Sequence, residues 1–158
     1  MRSTGLAVDR DPAPDKGSGL GGYVVEDQVG FLLRRAHQRH AALFQDGMAP
    51  VAELTPTQFT ALVKTVELGR VTQNQLGRLT AMDPATIQGV VRRLIARGLV
   101  RRLPDPADRR TAVLEATAEG TALAARAVVS ARRITEATLR PLDETERRHL
   151  LALLRKLA

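Results

Sequence analysis

The stretch DPATIQGVVRRL, residues 83–94, decides how the chain is read. Asp83 is a helix cap followed by Pro84 at the first helical position, and Gly98 is a C-terminal stop. Between them Ile87, Val90, Val91, Leu94 and Ile95 recur at the spacing of one buried stripe. The outward side shows Ala85, Thr86, Gln88, Gly89, Arg92 and Arg93, with no acid after Asp83. A solvated helix face ordinarily mixes signs and favours long side chains. Small residues beside cations instead suit a helix lying deep in a major groove, where the absence of acids avoids repulsion by phosphate. There Thr86 and Gln88 can bond base edges, while Arg92 and Arg93 can reach bases or phosphates. An arginine-rich solvated face is the plain alternative.

The neighbouring segments supply the context such a helix needs. In LTPTQFTALVKTVELGR, residues 54–70, Thr55 caps a helix with Pro56 at its first position, Gln58 completing a capping box and Gly69 ending it. Phe59, Leu62, Val66 and Leu68 give that helix an apolar side. VTQNQLGRLTAM, residues 71–82, repeats the device with Thr72 and Gln75, predicting a short helix over about 73–80. After residue 98 the period changes: 99–103 and 111–116 read as extended segments around the turn-rich PDPADRR, residues 104–110, predicting a hairpin with a basic tip. Thr117 then caps a long helix to about Leu139, Pro141 interrupts, and Asp143 with Glu146 caps a last helix striped by Leu150, Leu151, Leu154 and Leu157. Upstream, a helix over about 26–44 carries Val29, Leu32, Leu33, Ala36, Leu43 and Phe44 on one face, with Gly47 and Pro50 expected to break it.

Composition narrows the classes. The chain has 158 residues, 44% hydrophobic and 26% charged, enough for one domain with a core. It has no cysteine, which excludes disulfides, thiolate metal sites and thiol redox sensing. The net charge is +7, and between Arg92 and Arg110 seven arginines stand against Asp105 and Asp108. A basic excess gathered in one place suits nucleic acid. No run approaches the roughly 18 apolar residues of a membrane span, and the Gly, Pro, Asp and Ser-rich start has no apolar signal region, so no membrane partner and a cytoplasmic location are expected. There is no Gly-rich phosphate loop and no nucleophile set; Glu53, Glu67 and Glu115 read as isolated, so neither enzyme activity nor a cofactor is expected.

Two short helices joined by a tight turn and followed by a basic hairpin give the order of a winged helix-turn-helix, mainly α with a small β wing. The quoted segments, together with LEATAEG (residues 114–120), resemble the core of the MarR family of bacterial transcriptional regulators, closely over Leu54 to Gly120. The wing signature, Asp108-Arg109-Arg110 followed by TAVLEATAEG, carries the resemblance most specifically; Ala116 stands where relatives carry leucine. The Gly, Pro, Asp and Ser-rich start, without periodicity, reads as a flexible tail over 1–22, and the resemblance implies a dimerisation helix and linker over 23–53, a DNA-binding domain over 54–116 and C-terminal dimerisation helices over 117–158. It also implies a homodimer on a pseudo-palindromic double-stranded operator, one recognition helix per subunit in successive major grooves. Arg109 or Arg110 would enter the minor groove. Asp108 would hold the wing through an ion pair, or serve as a turn former. Thr72, Gln73 and Asp83 join the expected DNA-contact set.

The three histidines are His37, His40 and His149. His40 falls near the middle of the first helix's apolar stripe and His37 at its edge, and a polar ring there needs a partner: another subunit or a ligand. The pair lacks the further ligands a metal site needs, so no metal is expected. In MarR relatives the ligand commonly lodges between dimerisation helices and DNA-binding lobe, and aromatic carboxylates or phenols are frequent inducers. Arg34, Arg35, His37, Arg39, His40 and Phe59 are the matching candidate contacts here. The expected function is a dimeric repressor released by a small aromatic or phenolic acid. The alternatives are a metal-sensing regulator of the same fold and a winged-helix protein-interaction module without DNA binding.

Overall fold

A computed structural model describes residues 21–105, 108 and 110–157. A short 3-10 turn, Val25–Asp27, precedes helix α1, Val29–Met48. Then follow α2 (Pro56–Leu68), strand β1 (Arg70–Thr72), α3 (Gln73–Leu79) and α4 (Pro84–Ala96). Strands β2 (Val100–Pro104) and β3 (Ala112–Ala116), then α5 (Ala118–Leu139) and α6 (Glu144–Leu157), complete the order. The chain divides into two compact units with the boundary after Arg35. Among the described residues no helix is long and apolar enough to cross a membrane.

The caps expected from sequence set the helix starts. Thr55, Thr72, Asp83 and Thr117 each accept, through a side-chain oxygen, the backbone N–H three residues on. At Thr55 the box is reciprocal, with Gln58 Oε1 accepting from the Thr55 N–H. Asp143 and Glu146 close a similar pair ahead of α6. Gly98 ends α4 at φ 69°, while Leu99 N–H reaches back to the Leu94 carbonyl, so the left-handed residue that turns the chain into β2 is the one that can adopt it. The α3–α4 turn places Ala81 at φ 53°.

The sheet runs β1-β3-β2, antiparallel throughout, so the wing hairpin gains a third strand. The core lies between this sheet and α2–α5, with Leu62, Leu76, Ile87, Val91, Leu94 and Leu114 each at most 2% exposed. Burying one such side chain contributes about 1.5–3 kcal/mol. Thr65, buried among them, donates its hydroxyl to the Ala61 carbonyl, so that hydroxyl is not stranded in the core. α5 closes the core so tightly that a Cβ on Gly120 would overlap the carbonyl oxygen of Leu99.

Several expectations shift. α1 starts at Val29 and continues through Gly47 to Met48. Gly47 does not break the helix. It is a packing glycine, whose Cβ would lie 2.8 Å from Ile134 Cγ1 of α5. On α1 only Phe44 and Met48 are buried, while Val29, Leu32 and Leu33 remain exposed. Ile95 and Leu68, expected in buried stripes, are exposed because each sits on the flank of its stripe in the last helical turn. α6 buries none of its residues.

Candidate nucleic-acid interface

The outward side of α4 matches its sequence. Ala85, Gln88, Arg92 and Arg93 are exposed, and Thr86 and Gly89 half-buried. Among the described residues, a Cβ on Gly89 would meet no heavy atom within 4 Å beyond the neighbouring backbone of α4. The fold itself therefore does not need a glycine there. Asp83 accepts both the hydroxyl and the backbone N–H of Thr86, and these bonds, the hydroxyl first, hold its carboxyl below the usual carboxylate range. The hydroxyl proton of Thr86 is committed to Asp83, so towards a base Thr86 offers lone pairs. Asp83 works as the helix cap.

The basic segment divides into fixed and exposed arginines. Glu115 of β3 stands in register with Arg70 of β1 and Arg101 of β2. Its Oε1 accepts from Arg70 Nε at 3.3 Å, and its Oε2 from Arg101 Nε at 2.8 Å and Nη2 at 2.6 Å. Those bonds, Arg101's first, lower its carboxyl below the ordinary range. Glu115 is thus not isolated as expected: one partner, Arg101, stands opposite it in the wing hairpin, and the other, Arg70, lies on β1, a strand the sequence does not reveal. Glu67 likewise pairs with Lys64 one helical turn away, at 3.0 Å. Arg97 donates to the Glu53 carbonyl at 2.6 Å. Arg92, Arg93 and Arg110 are exposed.

In the wing, Asp108 accepts the backbone N–H of Arg110 at 3.0 Å and the Thr111 hydroxyl at 2.9 Å. These are the bonds of a turn former. Arg109 lies outside the described residues. At the start of α3, Thr72 is engaged as the cap, and Gln73 Oε1 accepts from Arg102 Nη2 at 2.9 Å. The roles of Arg70, Arg102 and Glu115 escape a sequence reading for two reasons: Arg70 lies on a three-residue strand too short to show a period, and Arg102 and Glu115 take their partners from the β2–β3 register, which local spacing does not fix.

The candidate effector contacts are only partly gathered. Arg34 and Arg35 lie over the Phe31 ring, 5.4 and 5.9 Å from its centroid, as cation–π pairs. His37 is exposed. Arg39 donates to the Thr138 carbonyl at 3.0 Å and the Ala137 carbonyl at 3.5 Å, gripping the end of α5. His40 Nδ1 lies 2.9 Å from the Thr138 hydroxyl, so the partner demanded by a polar ring in an apolar stripe is supplied within the chain. The His40 ring is tilted against Phe44, and Phe44 meets Phe59 edge to face at 5.8 Å between centroids. A cavity of about 410 Å³ opens beside Phe44, lined also by Ala41, Ala49, Ala52, Leu54 and Pro56, and none of the candidate cations lines it. Among the described residues no three His, Asp or Glu side chains form a group that could hold a metal.

A capped two-helix unit, a small-residue second helix and a three-stranded basic wing define a winged helix-turn-helix. A family model described as MarR family matches residues 52–111. The HTH-type transcriptional repressor NicR of Pseudomonas putida is 45% identical over 135 residues, 85% of either chain. A probable transcriptional regulator from Pseudomonas aeruginosa superposes with TM-score 0.82 at 47% identity, over 85% of this chain and 100% of that one. Bordetella bronchiseptica BpsR, solved for the regulation of its DNA binding by 6-hydroxynicotinic acid, gives TM-score 0.81 at 41% identity, over 85% of this chain and 96% of its own. The chain belongs to the MarR family of transcriptional regulators.

Proposed function

We propose that the chain is a dimeric, sequence-specific DNA-binding repressor of the cytoplasm, released by a small aromatic acid. The observation that carries the DNA reading is the outward side of α4, where Ala85, Gln88, Gly89, Arg92 and Arg93 leave room and positive charge for a partner outside the fold. Gln88 reads base edges; Arg92, Arg93 and the wing arginines Arg109 and Arg110 meet phosphate or minor groove. The test is footprinting of the purified chain on genomic DNA. A protected pseudo-palindrome with half-site centres roughly 10 bp apart supports the reading, with affinity that falls steeply with salt. No protection at low salt rejects it.

The effector reading rests on α1. Thr138 donates its hydroxyl to the Ile134 carbonyl at 2.8 Å, so towards His40 it accepts and the proton sits on His40 Nδ1. In the neutral ring Nε2 then carries a lone pair suited to a ring hydroxyl; when protonated it donates to a carboxylate. The bonds of Arg39 go to neutral carbonyls, so its charge still attracts a carboxylate. Arg34, Arg35, His37 and Phe59 complete the candidate set. BpsR, regulated by a hydroxylated pyridine carboxylate, favours the same ligand class. Hydroxylated aromatic acids are therefore expected to release the parent protein from its operator, and His40→Ala or Arg39→Ala to need more of the same compound. Equal release of both variants places the effector elsewhere.

A further inference from the structure

The twin arginines of β2 point to a DNA contact that the recognition helix and the wing tip do not make alone. Arg101 and Arg102 are consecutive on a strand, so their side chains leave opposite faces of the sheet. Arg101 shares its face with Glu115 and Arg70 and is neutralised there. Arg102 is in register with Leu114, and Leu114 with Val71, both buried, so its stem rises from the core-facing side and its head reaches the first residue of α3. There Nη2 donates to Gln73 Oε1 at 2.9 Å. That oxygen is neutral, so the guanidinium is held in direction without losing charge.

Two depressions flank this bridge. One, about 330 Å³, is lined by Gln73, Gln88, Arg92, Ile95 and Arg102. The other, about 280 Å³, runs past Thr72, Asn74 and Thr111 towards the wing. The first brings two guanidiniums and two amides around one space, with Ile95 as its apolar wall. This also gives a place to Ile95, whose exposure the helix pattern did not foresee. With its Oε1 directed to Arg102, Gln73 has its amide N–H donors available to a further partner. Cations and donors without a carboxylate among the lining residues suit a doubly bonded anionic oxygen pair.

We propose that Arg102 and Arg92 clamp one phosphate of the DNA backbone in this groove, and that Gln73 is the positioning residue that aims Arg102. The inference rests on the DNA-binding reading above and adds to it a contact that ties β2 of the wing to the helix-turn-helix. A phosphate contact carries no sequence information, so its loss weakens operator and unrelated duplexes alike.

The experiment titrates the full-length chain and its Arg102→Gln, Arg102→Lys and Gln73→Ala variants with operator and random duplexes over a range of salt, with thermal melting of each protein alongside. Arg102→Gln is expected to reduce the slope of log affinity against log salt by about 1 on both duplexes. Arg102→Lys should keep the slope while losing affinity, because it keeps the charge without the fork. Gln73→Ala should weaken binding with its melting temperature held. A parent that binds no DNA defeats the DNA-binding reading itself. If the parent binds, an unchanged slope for Arg102→Gln, a loss confined to the operator, or a loss accompanied by early melting of all three variants overturns the clamp.

Discussion

Gly89 sits in the middle of α4, where glycine is about 1 kcal/mol less favourable than alanine. Among the described residues nothing beyond the neighbouring backbone of α4 would touch a Cβ there, so packing against the rest of the fold does not explain the residue. Gly120 is the contrast: its missing Cβ is required by the Leu99 carbonyl. On the proposed reading, Gly89 lets the backbone of α4 approach the floor of the groove. Gly89→Ala is expected to stabilise the protein by about 1 kcal/mol in urea unfolding while weakening operator binding. A variant that gains stability and binds DNA as the parent does removes Gly89 from the interface. The opposing signs make the measurement informative, because a merely damaged fold would lose both.

Among the elements, the sheet is tied across its three strands by Glu115. Its folded carboxyl titrates below the ordinary value of 4.5 because Arg101 and Arg70 hydrogen-bond the ionised form. The folded state therefore binds fewer protons than the unfolded one as pH falls. The stabilisation is present above pH 4.5 and is lost as pH drops through the lowered folded value. Glu115→Gln should flatten that part of the stability–pH curve below about 4.5, read by thermal melting at stepped pH; an unchanged slope would show that the bridge contributes nothing. This bridge also depends on strand pairing that local spacing in the sequence does not encode. Helix starts were legible because Thr55, Thr72, Asp83 and Thr117 sit at fixed offsets from the N–H groups they cap. The side of α4 was legible because thirteen residues show a period. β1 spans three residues, opening after a helix-ending glycine and closing on the helix cap Thr72, too short for alternation. Arg101 and Arg102 look equivalent in sequence for a separate reason, because the β2–β3 register decides that one faces Glu115 and the other reaches Gln73, and local spacing does not fix that register. Gly47 misled for a related reason: a glycine chosen for contact with Ile134, far along the chain, has the same letter as a helix stop.

At the scale of the molecule, apolar surface remains that the described residues do not cover. Leu151, Leu153, Leu154 and Leu157 of α6 are 38%, 57%, 37% and 73% exposed, and the helix buries no residue. On α1, Val29, Leu32 and Leu33 are likewise exposed. Apolar stripes of this kind on regular helices are a sign of a surface meant for a partner. The flanking Arg155 and Lys156 also allow a helix lying on an anionic membrane. A second copy explains the stripe with fewer assumptions, because a DNA-binding dimer needs a seam that fixes the spacing of its two recognition helices. Leu151→Glu with Leu154→Glu places two charges within that stripe and spares the core, since neither residue is buried. The doubly substituted chain is expected to sediment as a monomer with parent-like helix content, and deletion of 142–158 should do the same or leave an unstable chain. Operator affinity should fall towards that of a single half-site, because the second helix no longer binds at high effective concentration. A variant that stays dimeric in sedimentation would place the seam elsewhere, and one that loses binding to anionic vesicles while remaining dimeric would assign α6 to a membrane instead.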